Sequence, residues 1–114
     1  MSEFHESEEL LPDEVKEYHR MIKSVIEELE AVDWYNQRAA VTTDPQLKAI
    51  VEHNRDEEIE HACMGLEWLR RNSEAWDEEL ETYLFTEGDI TELEEGHGEE
   101  DAESAGNQSL GISG

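Results

Sequence analysis

Apolar residues recur at alternating intervals of three and four near the start of the chain, and this period predicts a long amphipathic helix. A spacing of this kind, kept over several turns, is typical of helices that pack side by side in a bundle. Pro12 and Asp13 suit the first turn, and we expect the helix to continue to about Val41. The apolar stripe comprises Val15, Tyr18, Ile22, Val25, Leu29 and Val32.

A second helix is predicted after the sequence TTDPQL, residues 42–47, which interrupts the apolar pattern. Thr43 or Asp44 can cap this helix and Pro45 suits its first position. The helix should run to about Asn72, where two arginines complement the negative helix end. Because the interruption is short, the two helices should form an antiparallel hairpin.

A third, shorter helix and three further segments complete the predicted organisation. Ser73 can cap the third helix, which should run from Glu74 to about Phe85. Its stripe comprises Trp76, Leu80, Tyr83 and Leu84. Composition then divides the chain as a whole. We predict a disordered acidic N-terminus over residues 1–12, a helical domain over 13–92, an acidic disordered linker over 93–108 and a short terminal peptide over 109–114.

The charge and composition of the chain indicate which partners and which compartment to expect. Thirty-two acidic residues against eight basic ones give a formal net charge of -24, so phosphate backbones should be repelled and a nucleic-acid partner is not expected. Cys63 is the only cysteine, which rules out an internal disulfide and favours a reducing compartment. Neither a signal peptide nor an apolar run of membrane-spanning length is visible. We therefore expect a soluble cytoplasmic protein without a membrane partner.

The stripe predicted for the second helix is apolar at both ends and polar in its middle. A buried carboxylate without a partner costs several kcal/mol, so Glu58 in this stripe needs one. His61 lies three residues later on the same face. The two form a Glu-x-x-His pair that can bind one metal ion from a single helix. The predicted stripe comprises Leu47, Ile50, Asn54, Glu58, His61, Gly65 and Trp68.

The first helix offers a matching carboxylate, Glu28, which flanks its stripe, and Tyr35 lies seven residues later on the same side. Di-metal four-helix bundles use a Glu from each of two helices and a Glu-x-x-His from each of the other two. The chain contains half of that set, and a two-fold dimer would supply the other half. The alternative is that these are ordinary solvated charges, or a polar layer that fixes the register of a helical adaptor.

Four stretches of the chain are specific enough to compare with a known family. They are EELEAVDWYNQR (27–38), TDPQL (43–47), HNRDEEIEHACMGLEWLRRN (53–72) and TYLFTEG (82–88). They resemble the encapsulated ferritins, over about residues 14–92. The resemblance implies an all-α fold, a ferritin-like antiparallel two-helix hairpin plus a short third helix. It also implies that the hairpins form a four-helix bundle by dimerisation and assemble into an annular decamer.

The same resemblance implies a ferroxidase centre at the dimer interface, with two iron ions per subunit dimer. Its metal ligands would be Glu28, Glu58 and His61, with Glu58 bridging the two irons. Tyr35 would lie close to the metals and belong to the catalytic set. A secondary metal site would involve Glu27, Glu30 and Trp34.

The C-terminal sequence Ser109-Leu110-Gly111-Ile112 resembles the peptide by which cargo docks on the inner wall of an encapsulin shell. The implied function is iron storage in an encapsulin nanocompartment, where dioxygen or peroxide oxidises Fe(II) and the mineral grows in the shell lumen. The chain departs from the usual docking pattern because no apolar residue follows Ile112. Alternative functions are another di-metal carboxylate chemistry, such as peroxide removal, and a non-enzymatic helical adaptor.

Overall fold

The computed structural model describes residues 3–94, in which every regular element is a helix. The predicted all-α class is therefore confirmed. None of these helices is long and apolar enough to cross a membrane. The chain divides into two compact units, one ending at Leu69 and the other beginning at Arg70. The elements are a 3-10 helix (Glu8–Leu10), α1 (Asp13–Val41), α2 (Pro45–Asn72) and α3 (Glu74–Tyr83), followed by helical residues 90–94.

The connection between α1 and α2 is short and held by its own side chains. The Asp44 carboxylate accepts hydrogen bonds from the backbone N–H groups of Gln46 and Leu47, at 2.9 and 3.2 Å. These bonds satisfy donors that the first turn of α2 leaves unpaired, so Asp44 is the cap of α2. The Thr42 hydroxyl in turn accepts from the Asp44 N–H at 3.3 Å. The predicted limits of both helices are confirmed.

Two contacts show that α1 and α2 run antiparallel. The Arg55 guanidinium donates to the Asn36 side-chain oxygen at 3.1 Å. Farther along α2, Gly65 approaches Val25 so closely that a Cβ atom on the glycine would lie 2.5 Å from Val25 Cγ2. Residue numbers therefore rise along one helix as they fall along the other, as the predicted hairpin requires.

The face of α2 that is buried differs from the predicted stripe. The buried residues are Val51, Ala62, Gly65 and Leu69, whereas Leu47 and Ile50 remain 47% and 49% exposed. Both faces of α2 carry apolar residues. The buried face includes the small residues Ala62 and Gly65, and Gly65 lies directly against Val25 of α1. The predicted stripe therefore runs along the border of the buried face instead of its centre.

The hairpin leaves much of its apolar surface uncovered. Five hydrophobic residues are buried among the described residues, against fourteen large hydrophobic residues that are exposed. On α1, Val25 is buried but Leu29, one turn later, is 54% exposed. Where such exposed apolar residues form a contiguous surface, they mark an interaction site in soluble proteins.

The segment before α1 differs from the disordered N-terminus expected for residues 1–12. The ring of Phe4 contacts the ring of His19 edge to face, with centroids 4.8 Å apart. The Glu3 carboxylate lies 3.3 Å from the Lys23 ammonium group. One aromatic residue and one ion pair thus connect residues 3–12 to α1.

The third helix begins as predicted and ends two residues early. The Ser73 hydroxyl accepts a hydrogen bond from the Trp76 N–H at 3.4 Å, which caps the first turn of α3. The helix ends at Tyr83, because Phe85 has a φ of 59° that no right-handed helix accommodates. Residues 93 and 94, expected in the linker, are helical. The predictions for 95–108 and for the terminal peptide 109–114 lie outside the described residues.

Candidate metal centre

The Glu-x-x-His pair lies in the middle of α2, where helical geometry brings its two side chains to one side. The Glu58 carboxylate Oε2 is 3.7 Å from the His61 Nδ1. This separation is too long for a hydrogen bond. The side chains are 27% and 41% exposed, respectively. Both therefore lie at the border of the hairpin, partly covered by α1 and partly open.

Glu28, on α1, has one carboxylate oxygen that is left without a partner. Its carboxylate Oε2 is buried and has no hydrogen-bond partner. Burial raises the pKa of Glu28, the negative charge of Glu58 raises it further, and His61 opposes the shift. These influences require Glu28 to lie near both residues of the Glu-x-x-His pair. The structure thus places Glu28 within electrostatic range of the other two predicted ligands.

The chemistry of these groups suits a cation. Two carboxylates repel each other and destabilise their own charged forms when partly buried. A metal ion between them would reverse that effect, and an imidazole beside two carboxylates is a donor set that divalent iron accepts. Within the described part of a single chain, however, no three His, Cys, Asp or Glu side chains are placed to hold an ion. The three side chains therefore do not form a complete ligand set within one described chain.

Tyr35, the further predicted site residue, lies two turns beyond Glu28 on α1, about 10 Å along the axis. Its side chain is partly buried. The Arg38 guanidinium carbon lies 5.5 Å from the centre of the Tyr35 ring, a cation–π distance. Arg38 was not singled out in the sequence, although its spacing of three from Tyr35 predicts that the two side chains are neighbours.

The residues predicted for a secondary metal site all lie on the exposed side of α1. Glu27 and Glu30 are exposed, and Trp34 is 52% exposed. The structure places them along one side of the helix at spacings of three, four and seven. Glu27 also contributes to the raised pKa of Glu28, as the smallest of the causes.

One ionic pair on α2 was missed by the sequence analysis. The His53 Nε2 lies 3.0 Å from a Glu57 carboxylate oxygen, and both side chains are largely exposed. The spacing of four residues between them was the available signal. Cys63, farther along α2, is exposed.

Comparisons with known proteins identify the family of this chain. The EncFtn-like family matches residues 3–87. An encapsulated ferritin-like protein of Rhodospirillum rubrum is 57% identical over 117 residues, covering 95% of this chain and 84% of that protein. A ferritin-like protein of Thermotoga maritima is 53% identical over 93 residues, covering 82% of each.

A crystal structure of a protein from Nitrosomonas europaea is similar in both sequence and fold. Its sequence is 54% identical to this chain, and the two structures superpose with a TM-score of 0.76. The match covers 78% of this chain and 98% of that one. The ferritin-like fold predicted from the sequence is confirmed, and the chain belongs to the EncFtn-like family, the encapsulated ferritins.

Proposed function

We propose that this chain is a ferroxidase subunit, two copies of which build one di-iron centre around a two-fold axis. The observation that carries the proposal is the buried Glu28 carboxylate oxygen without a partner, beside Glu58 and His61. A buried acceptor of this kind persists in native proteins where an ion or a function requires it. Iron is the substrate of the proposed reaction.

The need for a second copy follows from the open side of the cluster. Ile50 lies eleven residues before His61, close to three full turns, so both project from the same side of α2. Ile50 is 49% exposed and the His61 side chain is 41% exposed. A second hairpin on this side would cover the apolar residue and add its own Glu28, Glu58 and His61. The resulting four-helix bundle would contain the full ligand set of a di-iron carboxylate protein.

In this proposal each protein group has a distinct role. The Glu28 and Glu58 carboxylates bind Fe(II) and stabilise the additional charge of Fe(III), while the His61 imidazole favours the ferrous ion. Two Fe(II) ions supply the two electrons that, with two protons, reduce dioxygen to hydrogen peroxide or peroxide to two waters. Tyr35 lies along the same side of α1. The secondary site would be formed by Glu27, Glu30 and Trp34.

Ligand substitutions test the proposal. Glu28→Ala, Glu58→Ala and His61→Ala should each lower iron occupancy and reduce the initial rate of Fe(II) oxidation at least about tenfold. The rate is measured by stopped-flow absorbance after Fe(II) is added without oxygen and oxidant follows. Glu60→Ala removes an equally acidic but exposed residue of α2 and should oxidise iron like the unsubstituted chain. Equal losses in Glu60→Ala and Glu58→Ala would exclude this ligand assignment.

The partner would be an encapsulin shell, and the location its interior in the cytoplasm. Two observations support this: a relative is named as encapsulated, and Leu110 and Ile112 alternate in a short terminal sequence as an extended docking peptide requires. The tails of a decameric ring would act together through effective concentration.

Deletion of residues 109–114 tests the shell partner. The deletion should abolish loading into a co-expressed shell and leave oligomer size and oxidation rate unchanged. Leu110→Asp should reproduce the loss, whereas Ser113→Ala, outside the docking sequence, should load normally. Undiminished loading of the truncated chain would refute this docking role.

A further inference from the structure

Gly65 lies in the interior of α2, one turn after His61 and two turns after Glu58. Glycine is among the least favourable residues at such a position, because it loses more backbone freedom than any other. The surrounding atoms explain its presence. A Cβ atom at Gly65 would lie 2.5 Å from Val25 Cγ2 and 3.1 Å from the Met21 sulfur.

Of these two neighbours, Val25 cannot yield. Its side chain is branched at Cβ and therefore restricted to one rotamer in a helix, and it is only 7% exposed. The Met21 side chain is flexible and can move away. Since carbon atoms pack at roughly 3.5–4.0 Å, an alanine at position 65 would displace α2 from α1 by about 1 Å.

This contact lies next to the metal-binding cluster. On α1, Glu28 follows Val25 by about one turn, and on α2, His61 precedes Gly65 by about one turn. Because Val25 contacts Gly65 and the helices are antiparallel, Glu28 lies beside His61. Functional side chains must be held within about 0.5 Å of their productive arrangement. A displacement of about twice that tolerance would separate Glu28 from the two ligands on α2.

We propose that Gly65 is a positioning residue of the metal centre, whose missing side chain sets the separation of α1 and α2 that brings Glu28 to Glu58 and His61. This role rests on the proposed function, because it presumes that the three residues bind metal together. It assigns no contact with the metal to Gly65.

The test is a rescue experiment with Co²⁺ as the probe, in place of readily oxidised iron. Calorimetric titration measures the Co²⁺ affinity of four full-length chains: unsubstituted, Gly65→Ala, Val25→Ala and the double variant. Gly65→Ala should bind Co²⁺ at least about tenfold more weakly. The double variant removes the conflicting Cγ atoms, so its affinity should return to within about threefold of the original. Val25→Ala, the matched control, removes packing without forcing the helices apart and should retain its affinity.

The outcomes separate this role from its alternatives. Unchanged affinity in folded Gly65→Ala, or a double variant no tighter than that single variant, would overturn the positioning role. If Gly65→Ala does not fold, the double variant decides: original affinity supports the role and weak affinity overturns it. A Glu58→Ala chain that binds Co²⁺ as tightly as the unsubstituted chain would instead remove the proposed function, and with it this role.

Discussion

Replacing Glu28 by methionine should stabilise the metal-free protein. The substitution removes the buried oxygen that has no partner and the repulsion by Glu58. An unsatisfied buried polar atom costs about 1–3 kcal/mol. At pH 7 we expect the free energy of unfolding to rise by about 1–2 kcal/mol. This is the lower part of that range, because His61 offsets part of the repulsion. Methionine and glutamate have similar helix propensities, so propensity does not contribute.

The gain should depend on pH in a defined direction. Folding raises the pKa of Glu28 above its ordinary value of 4.5. Between the ordinary pKa and the raised pKa, the folded state therefore binds more protons than the unfolded state. Stability of the original chain therefore falls as the pH rises through this interval. The advantage of Glu28→Met should be largest at neutral pH and shrink as acidification protonates Glu28.

Urea denaturation at fixed chain concentration, with chelator present, measures this effect at pH 7 and pH 5. Glu60→Met is the control, since it removes an exposed glutamate of α2 and changes the net charge equally. An equal gain in the control, or a loss in Glu28→Met at both pH values, would refute the reasoning from burial.

Two further predictions concern the turn and the assembly. Asp44→Ala should lower the free energy of unfolding by about 1 kcal/mol, which corresponds to a drop of about 4–8 °C in the melting temperature. Thr43→Ala and Asp44→Asn, which preserves the cap, should change the melting temperature little. An unaffected Asp44→Ala chain would show that the cap is not needed. Dilution should lower the oxidation rate per chain in step with the loss of paired species in sedimentation, and an active monomer would contradict a centre shared between two copies.

The helix limits could be predicted because they depend on local chemistry. Asp44 followed by Pro45 specifies the start of α2, and Ser73 specifies the start of α3, through hydrogen bonds that span three residues at most. The end of α3 was predicted two residues late, because the apolar residues Leu84 and Phe85 directly follow Tyr83 in sequence, although the backbone leaves the helix at Phe85.

The buried face of α2 could not be predicted from periodicity alone. The faces centred on Ile50 and on Val51 differ by one residue, and both contain apolar side chains. The choice depends on where α1 approaches, and that in turn depends on the close contact of Gly65. Single-helix patterns contain no information about such a contact.

The three ligand candidates were predicted from spacing, but their electrostatic state was not. Spacing placed Glu28 at the edge of a stripe. Only the packed hairpin reveals that one oxygen is buried and that Glu58 lies near enough to affect the pKa. The attachment of residues 3–12 was likewise unpredicted, because one phenylalanine among acidic residues gives no periodic signal.

The three-residue connection between α1 and α2 has a kinetic consequence. Closing so short a loop is an intramolecular event with little entropic penalty, and hairpins with local contacts fold rapidly. In the proposed dimer, covering Leu47 and Ile50 by the second chain would instead be a bimolecular event. Refolding should therefore show a fast phase in helical content that is independent of chain concentration. A slower phase should become faster as the chain concentration rises. Between the two phases, the chain would already be helical while its apolar residues are still exposed.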